Sequence, residues 1–174
     1  MSIRILIVLL ASLFAGACSS TLPFNSTEKA FDFRAYFDGP MEAWGVVESR
    51  DGEVIRRFYV DLLATWEGDK GELYEKFEYA DGGTEVRVWK LQQLPEGRFS
   101  GTADDVVGVA TGEPYGGSFR WSYVLEVPYR DGTIKVRLDD RLHQVDDQTL
   151  VNRAVMKKFG LTVGHITLIF RKPQ

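Results

Sequence analysis

From Ala43 onward the chain is written in an apolar/polar alternation of period two, broken at short intervals by turn residues. Val54 to Trp66 is the longest stretch. Its even positions read Val54, Arg56, Phe58, Val60, Leu62, Ala64 and Trp66, while Arg57, Asp61 and Thr65 fall on the other register. That pattern predicts a half-buried strand. Ile134 to Gln144 alternates as cleanly, with Ile134, Val136, Leu138 and Leu142 against Lys135, Arg137, Asp139, Arg141 and His143. Shorter strands are predicted at Ala43–Glu48, Leu73–Tyr79, Thr84–Leu91, Trp121–Val127 and Thr162–Phe170. Their punctuation is Arg50-Asp51-Gly52, Asp81-Gly82-Gly83 and Arg130-Asp131-Gly132, the composition of hairpin turns.

Three stretches are less regular. Phe31–Phe37 fits neither period and reads as an extended segment or a short turn of helix closing one end of the domain. Phe99–Ala110, rich in Gly and Ala, reads as a bend or bulge, with 112–117 as a loop. Thr149–Phe159 suits a strand, yet Leu150 with Ala154 and Val151 with Val155 also fit helical spacing, so both readings stand. About nine strands joined by connections of roughly 2–6 residues favour antiparallel sequence neighbours. A meander of that size removes its exposed edges by closing on itself. The expected fold is therefore all-β, an antiparallel up-and-down barrel over residues 31–174.

The first residues are of another kind. Arg4 precedes the apolar run from Ile5 to Phe14, and Ala15, Gly16 and Ala17 lead into Cys18, the one cysteine of the chain. A charged start, an apolar core shorter than a bilayer span and a small-residue exit describe a secretory signal. Ending on Cys, it resembles a bacterial lipobox. Residues 1–17 are then removed, Cys18 is lipidated, and residues 18–30 include a polar tether reaching about 15–30 Å. A single unpaired thiol suits this reading, since exported chains favour paired cysteines. Ser19 and Ser20 follow where inner-membrane retention would favour Asp, so the expected location is the periplasmic face of the outer membrane.

Charge narrows the partners. The formal charge of −4 becomes −5 once Arg4 is lost with the signal, and no run of Lys/Arg exceeds two residues. Nucleic acid is not an expected partner. Aromatic residues make up 13% of the chain, enough to line a pocket as well as a core.

Register supplies the candidate chemistry. Glu75 shares a strand face with Leu73, Phe77 and Tyr79; Arg87 shares one with Trp89 and Leu91; Arg56 stands in line with Phe58 and Val60. Charges on apolar faces need partners, because a lone buried charge is very costly. The predicted interior therefore holds Glu75 with Arg56 and Arg87, walled by Trp44, Trp66, Trp89 and Trp121. Asp139 and His143 fall on the face opposite Asp140, so these three do not converge. Asp140 is instead expected to join Asn152 and Arg153 in a hydrogen-bond network across adjacent strands. Two histidines make a poor metal site, and no metal or other cofactor is expected. Asp104-Asp105 and Asp146-Asp147 read as turn formers. No Gly-x-Ser-x-Gly elbow or phosphate loop is present, so no catalytic residue is assigned.

The motifs Trp44-Gly45, Arg56-Arg57-Phe58, Glu75 to Tyr79 with Asp81-Gly82, Arg87-Val88-Trp89, Gly101 to Gly108, Asp139-Asp140 and Asn152 to Gly160 with Gly164 carry a resemblance. From about Phe31 to Lys172 the chain resembles the Gram-negative lipoproteins grouped as domain of unknown function 3833. The resemblance implies a lipocalin-like or calycin-like barrel and no established activity. The functional expectation is a membrane-anchored, non-enzymatic lipoprotein that binds a small hydrophobic or lipid ligand in its barrel, with no protein partner identified. An accessory envelope protein with a filled barrel, acting through protein contacts, is the alternative. A hydrolase of lipid or cell-wall material stands third.

Overall fold

The computed structural model describes residues 31–173. Ten antiparallel strands form one closed barrel in which each strand pairs with its neighbours in sequence, and the first pairs with the last. The strands are β1 (Gly39–Ser49), β2 (Val54–Glu67), β3 (Lys70–Tyr79), β4 (Thr84–Gln93), β5 (Phe99–Thr102), β6 (Ala110–Tyr115), β7 (Ser118–Tyr129), β8 (Gly132–Gln144), β9 (Thr149–Lys158) and β10 (Leu161–Arg171). The up-and-down order is the one the short connections imply. The ambiguous 149–159 stretch is strand: each of its residues from Thr149 to Lys158 has a partner on β8 or β10, and pairing on both sides outweighs local helical spacing.

The tenth strand comes from the glycine-rich region. Phe99–Ala110 divides into β5 and a loop, and the 112–117 segment expected as a loop contributes to β6. Gly112 has no side chain because none would fit: a Cβ there would overlap the rings of Trp121 and Phe119. Glycine in this strand is a packing device rather than a strand breaker. Gly164 plays a similar part at the bulge in the β9–β10 pairing, where a Cβ would run into the Glu48 carbonyl oxygen.

One end of the barrel is plugged. Helix α1 (Phe33–Tyr36) begins at Asp32, whose side chain accepts a hydrogen bond from the Ala35 N–H at 3.0 Å. The Phe33 ring enters the barrel and lies 4.6 Å from the Phe99 ring and 4.8 Å from that of Phe119. The Tyr36 hydroxyl donates to the Gln148 carbonyl at 2.9 Å, and Trp66 Nε1 donates to the Phe37 carbonyl at 2.6 Å. Aromatic packing fills this end almost completely; Phe119 and Leu150 have no exposed surface. Residues 103–109 rise from the short strands β5 and β6 along β7, held by bonds from Val107 N–H to the Val124 carbonyl and from Glu126 N–H to the Asp105 carbonyl, both 2.8 Å. That loop completes the wall and brings Asp105 toward the interior.

Candidate functional site

Above the aromatic plug the barrel is not filled. A cavity of about 590 Å³ runs from Phe33, Phe37 and Trp121 at the floor to Arg56, Tyr79 and Pro128 at the opposite mouth. Phe58, Phe77, Trp89, Leu125, Leu138 and Leu168 form its apolar walls.

One cluster of its polar groups sits on β3, β4 and the 103–109 loop. Glu75 and Arg87 are directly paired across β3 and β4. Arg87 Nη1 lies 3.6 Å from Glu75 Oε2, and Trp89 Nε1 donates to that oxygen at 3.2 Å. Asp105 grips Arg87 from the other side, accepting from Nε at 2.9 Å and from Nη2 at 2.6 Å. Burial raises the Glu75 pKa, and Arg87 and the Trp89 hydrogen bond only partly oppose it. Burial also works against the charge of Arg87, but Glu75 and Asp105 outweigh it and hold its pKa above the ordinary value.

At the mouth, Arg56 makes a two-point contact with Asp81 at 2.9 and 3.1 Å and lies over the Tyr79 ring, 3.4 Å from its centroid. The Tyr79 hydroxyl donates to Glu85 at 2.8 Å. Deeper, on β8 and β9, Asn152 Nδ2 donates to Asp140 Oδ2 at 3.0 Å. Asp140 Oδ1 and Asn152 Oδ1 are buried with no hydrogen-bond partner among the described residues. Burial pushes the Asp140 pKa up to about 7, further raised by Asp139 and Glu75 and opposed by the Asn152 bond and by Arg87.

The predicted interior is thus assembled with corrections. Glu75, Arg87, Trp89 and Trp121 meet around the cavity, and Arg56 stands at its rim. Trp44 does not join them. It projects from the outer wall, 46% exposed, against the Tyr59 ring, because Met41, Ala43 and Gly45 take the inward register of β1. Trp66 points inward but belongs to the plugged end, below the cavity. Asp140 and Asn152 are bonded as expected, whereas Arg153, one residue on, faces outward and is excluded from their network by the same alternation.

Two residues that line the cavity, Asp105 and Tyr123, are absent from the predicted interior. Asp105 looked like a turn former, and nothing local reveals that its loop aims it at Arg87. Tyr123, in register with Trp121 and Leu125, was legible by alternation alone; its ring meets Trp89 edge-on at 5.3 Å. The charge lining is lopsided: five carboxylates (Glu75, Glu85, Asp105, Glu126 and Asp140) against two guanidinium groups. The outer wall carries one local cluster of the opposite sign. Arg120, Arg141 and Arg153 stand directly opposite one another on β7, β8 and β9, a basic row the chain order conceals. Among the described residues no three His, Cys, Asp or Glu side chains converge as a metal site requires. Cys18 lies outside the described residues.

Comparison with known proteins gives a family and a fold. The model of a family described as "Protein of unknown function (DUF3833)" matches residues 11–172. No curated protein matches the chain. Among solved structures, the S-type phycobiliprotein lyase CPES from Guillardia theta is similar in fold, with a TM-score of 0.61 at 8% identity, over 87% of this chain and 98% of that one. This neighbour corrects one expectation. The lack of hydrolase motifs suggested a chain without enzymatic activity, but a protein named as a lyase is built on the same barrel. Missing motifs of unrelated folds are no ground for calling this one non-catalytic.

Proposed function

The chain belongs to the DUF3833 family, and from that premise we propose that it is an envelope lipoprotein whose barrel receives a small hydrophobic ligand while Cys18 holds it at the membrane. One observation carries the ligand reading. The cavity, about 590 Å³ with aromatic and aliphatic walls, one mouth and a few convergent polar groups, falls within the roughly 300–1,000 Å³ range of small-molecule sites. It weighs against the filled-barrel alternative, which needs side chains where the space is. The apolar probe 1-N-phenylnaphthylamine should bind the purified full chain saturably, and Leu138→Trp, which narrows the cavity, should weaken it by about tenfold or more. Unsaturable partition with no effect of the substitution would rule the ligand reading out.

The anchor is supported by the charged, apolar and small-residue order that ends on Cys18. Two or more acyl chains there would give stable attachment, and the outer membrane facing the periplasm is the proposed site. With radiolabelled palmitate in Gram-negative cells, the chain should take up label and sediment with membranes. Cys18→Ala should lose the label and the attachment; a variant that stays labelled and membrane-bound would sink the proposal.

A further inference from the structure

We infer that the outer wall of β7, β8 and β9 is a docking face for the anionic phosphate headgroups of the membrane that holds the chain, with Arg120, Arg141 and Arg153 as its contacts. The inference rests on the Cys18 anchor reading above and deepens it. The three guanidinium groups stand directly opposite one another, Arg120 with Arg141 and Arg141 with Arg153. Like charges so placed destabilise a sheet unless an opposite charge lies against them. Further along the same wall Arg137 stands opposite Lys157. Between these two rows the outward register holds Ser122, Asp139 and Val155, so one carboxylate faces five cations. Asp139 already bridges Arg137 and Lys157, at 2.9 Å from each, and among the described residues no ion pair reaches the row of three. Glu113, opposite Arg120 on β6, forms none with it. The Tyr115 ring steadies two of the guanidinium groups, with its centroid 3.1 Å from that of Arg120 and 5.6 Å from that of Arg141.

Charge and chain path together point to a lipid surface. A guanidinium fork matches the oxygens of a phosphate. A depression of about 610 Å³ bordered by Arg98, Arg120, Arg137, Arg141 and Lys157 gives a headgroup room beside the row. The chain from Cys18 enters the fold at Phe31, whose ring lies 6.2 Å from that of Phe119, the residue before Arg120. The row therefore begins at the end from which the tether leaves, and a reach of about 15–30 Å brings it to the leaflet without crossing the barrel. An anionic leaflet attracts each Lys or Arg that comes within about a Debye length of it. The chain as a whole carries a formal charge of −4, so the same leaflet repels its other faces and the attraction sets an orientation. The cavity mouth, at the opposite end of the barrel, then stays clear of the headgroups.

Arginine labelling on vesicles tests the inference. The lipidated chain, isolated from Gram-negative cells, is inserted from detergent into preformed vesicles of phosphatidylcholine, with or without phosphatidylglycerol. Phenylglyoxal then modifies its arginines, and mass spectrometry reads each site. Arg141 and Arg153 should react about tenfold or more slowly on the anionic vesicles than on the neutral ones. Arg50, at the mouth end with 72% of its side chain exposed, should react at the same rate on both. The protection should vanish at about 1 M salt, where the screening length falls to ~3 Å. Arg120→Gln combined with Arg141→Gln should lift it from Arg153 as well. Equal rates at the row on the two vesicles would overturn the inference and leave the anchor reading intact. So would slowing that includes Arg50, which is a surface effect without orientation, or protection by inorganic phosphate on neutral vesicles as full as that by the anionic lipid. A chain that fails to float with the neutral vesicles would instead sink the anchor reading, and this inference with it.

Discussion

Asp140→Asn should match the parent protein in stability near pH 4 and exceed it by up to about 4 kcal/mol near pH 8. The Asp140 carboxyl has its pKa raised from 3.8 to about 7 in the fold. At low pH both folded and unfolded chains hold the proton, and its contribution to stability is fully present. As pH rises from about 4, the unfolded chain releases the proton and the folded one keeps it, so stability falls until both are ionised above about pH 7. Around the carboxyl stand Tyr123 from β7, Glu75 from β3, Arg87 from β4, Asn152 from β9 and Asp139 beside it on β8. Arg87 is the one cation among them, and it is already committed. Asp81, held low by Arg56, and Asp146, held low by the N–H groups of Gln148 and Thr149, act with the opposite sign in acid. The difference between parent and variant cancels them. Urea unfolding of both chains from pH 4 to 8 measures it, and a difference independent of pH would show that Asp140 is not an acid held neutral by burial.

Arg87→Met should be the most damaging single change among the polar residues of the cavity, lowering stability by about 3–5 kcal/mol. Its guanidinium is the shared counter-charge of Glu75 and Asp105, with only 13% of its side chain and 11% of Glu75's reached by solvent. Removing it strands two carboxylates. Arg87→Met combined with Glu75→Gln should recover part of the loss, because one of the stranded charges is gone; the double-mutant cycle reads the coupling directly. Breaking the exposed Lys76–Glu78 pair should leave the unfolding midpoint unchanged, although its 2.8 Å separation is shorter than the 3.6 Å between Arg87 and Glu75. Equal effects from the two pairs would show that burial does not set the value of the Arg87 cluster.

Much of the barrel was written in the alternation. Successive side chains on a strand point to opposite faces, so Glu75, Arg87, Asp140 and Asn152 could each be assigned inward from their own apolar neighbours. The same rule, applied to β1, would have turned Trp44 outward. It was placed inside because a tryptophan is large and apolar, whereas Met41, Ala43 and Gly45 are the inward set and leave room for Phe58 over Gly45. Gly101 and Gly112 misled for a related reason. Glycine is scarce in strands, yet here it makes space for aromatic rings reaching across from β7.

The chain by itself therefore determined most strand faces and the up-and-down order, both of which depend on residues close in sequence. The tertiary structure alone decided what lies between strands. It set Asp105 on Arg87, 18 residues away, left a cavity where a packed core was equally consistent with the pattern, and lined up Arg120, Arg141 and Arg153 on the outer wall. Alternation specifies which way a side chain points. Register and loop height specify what it meets, and those are settled only when ten strands close on one another.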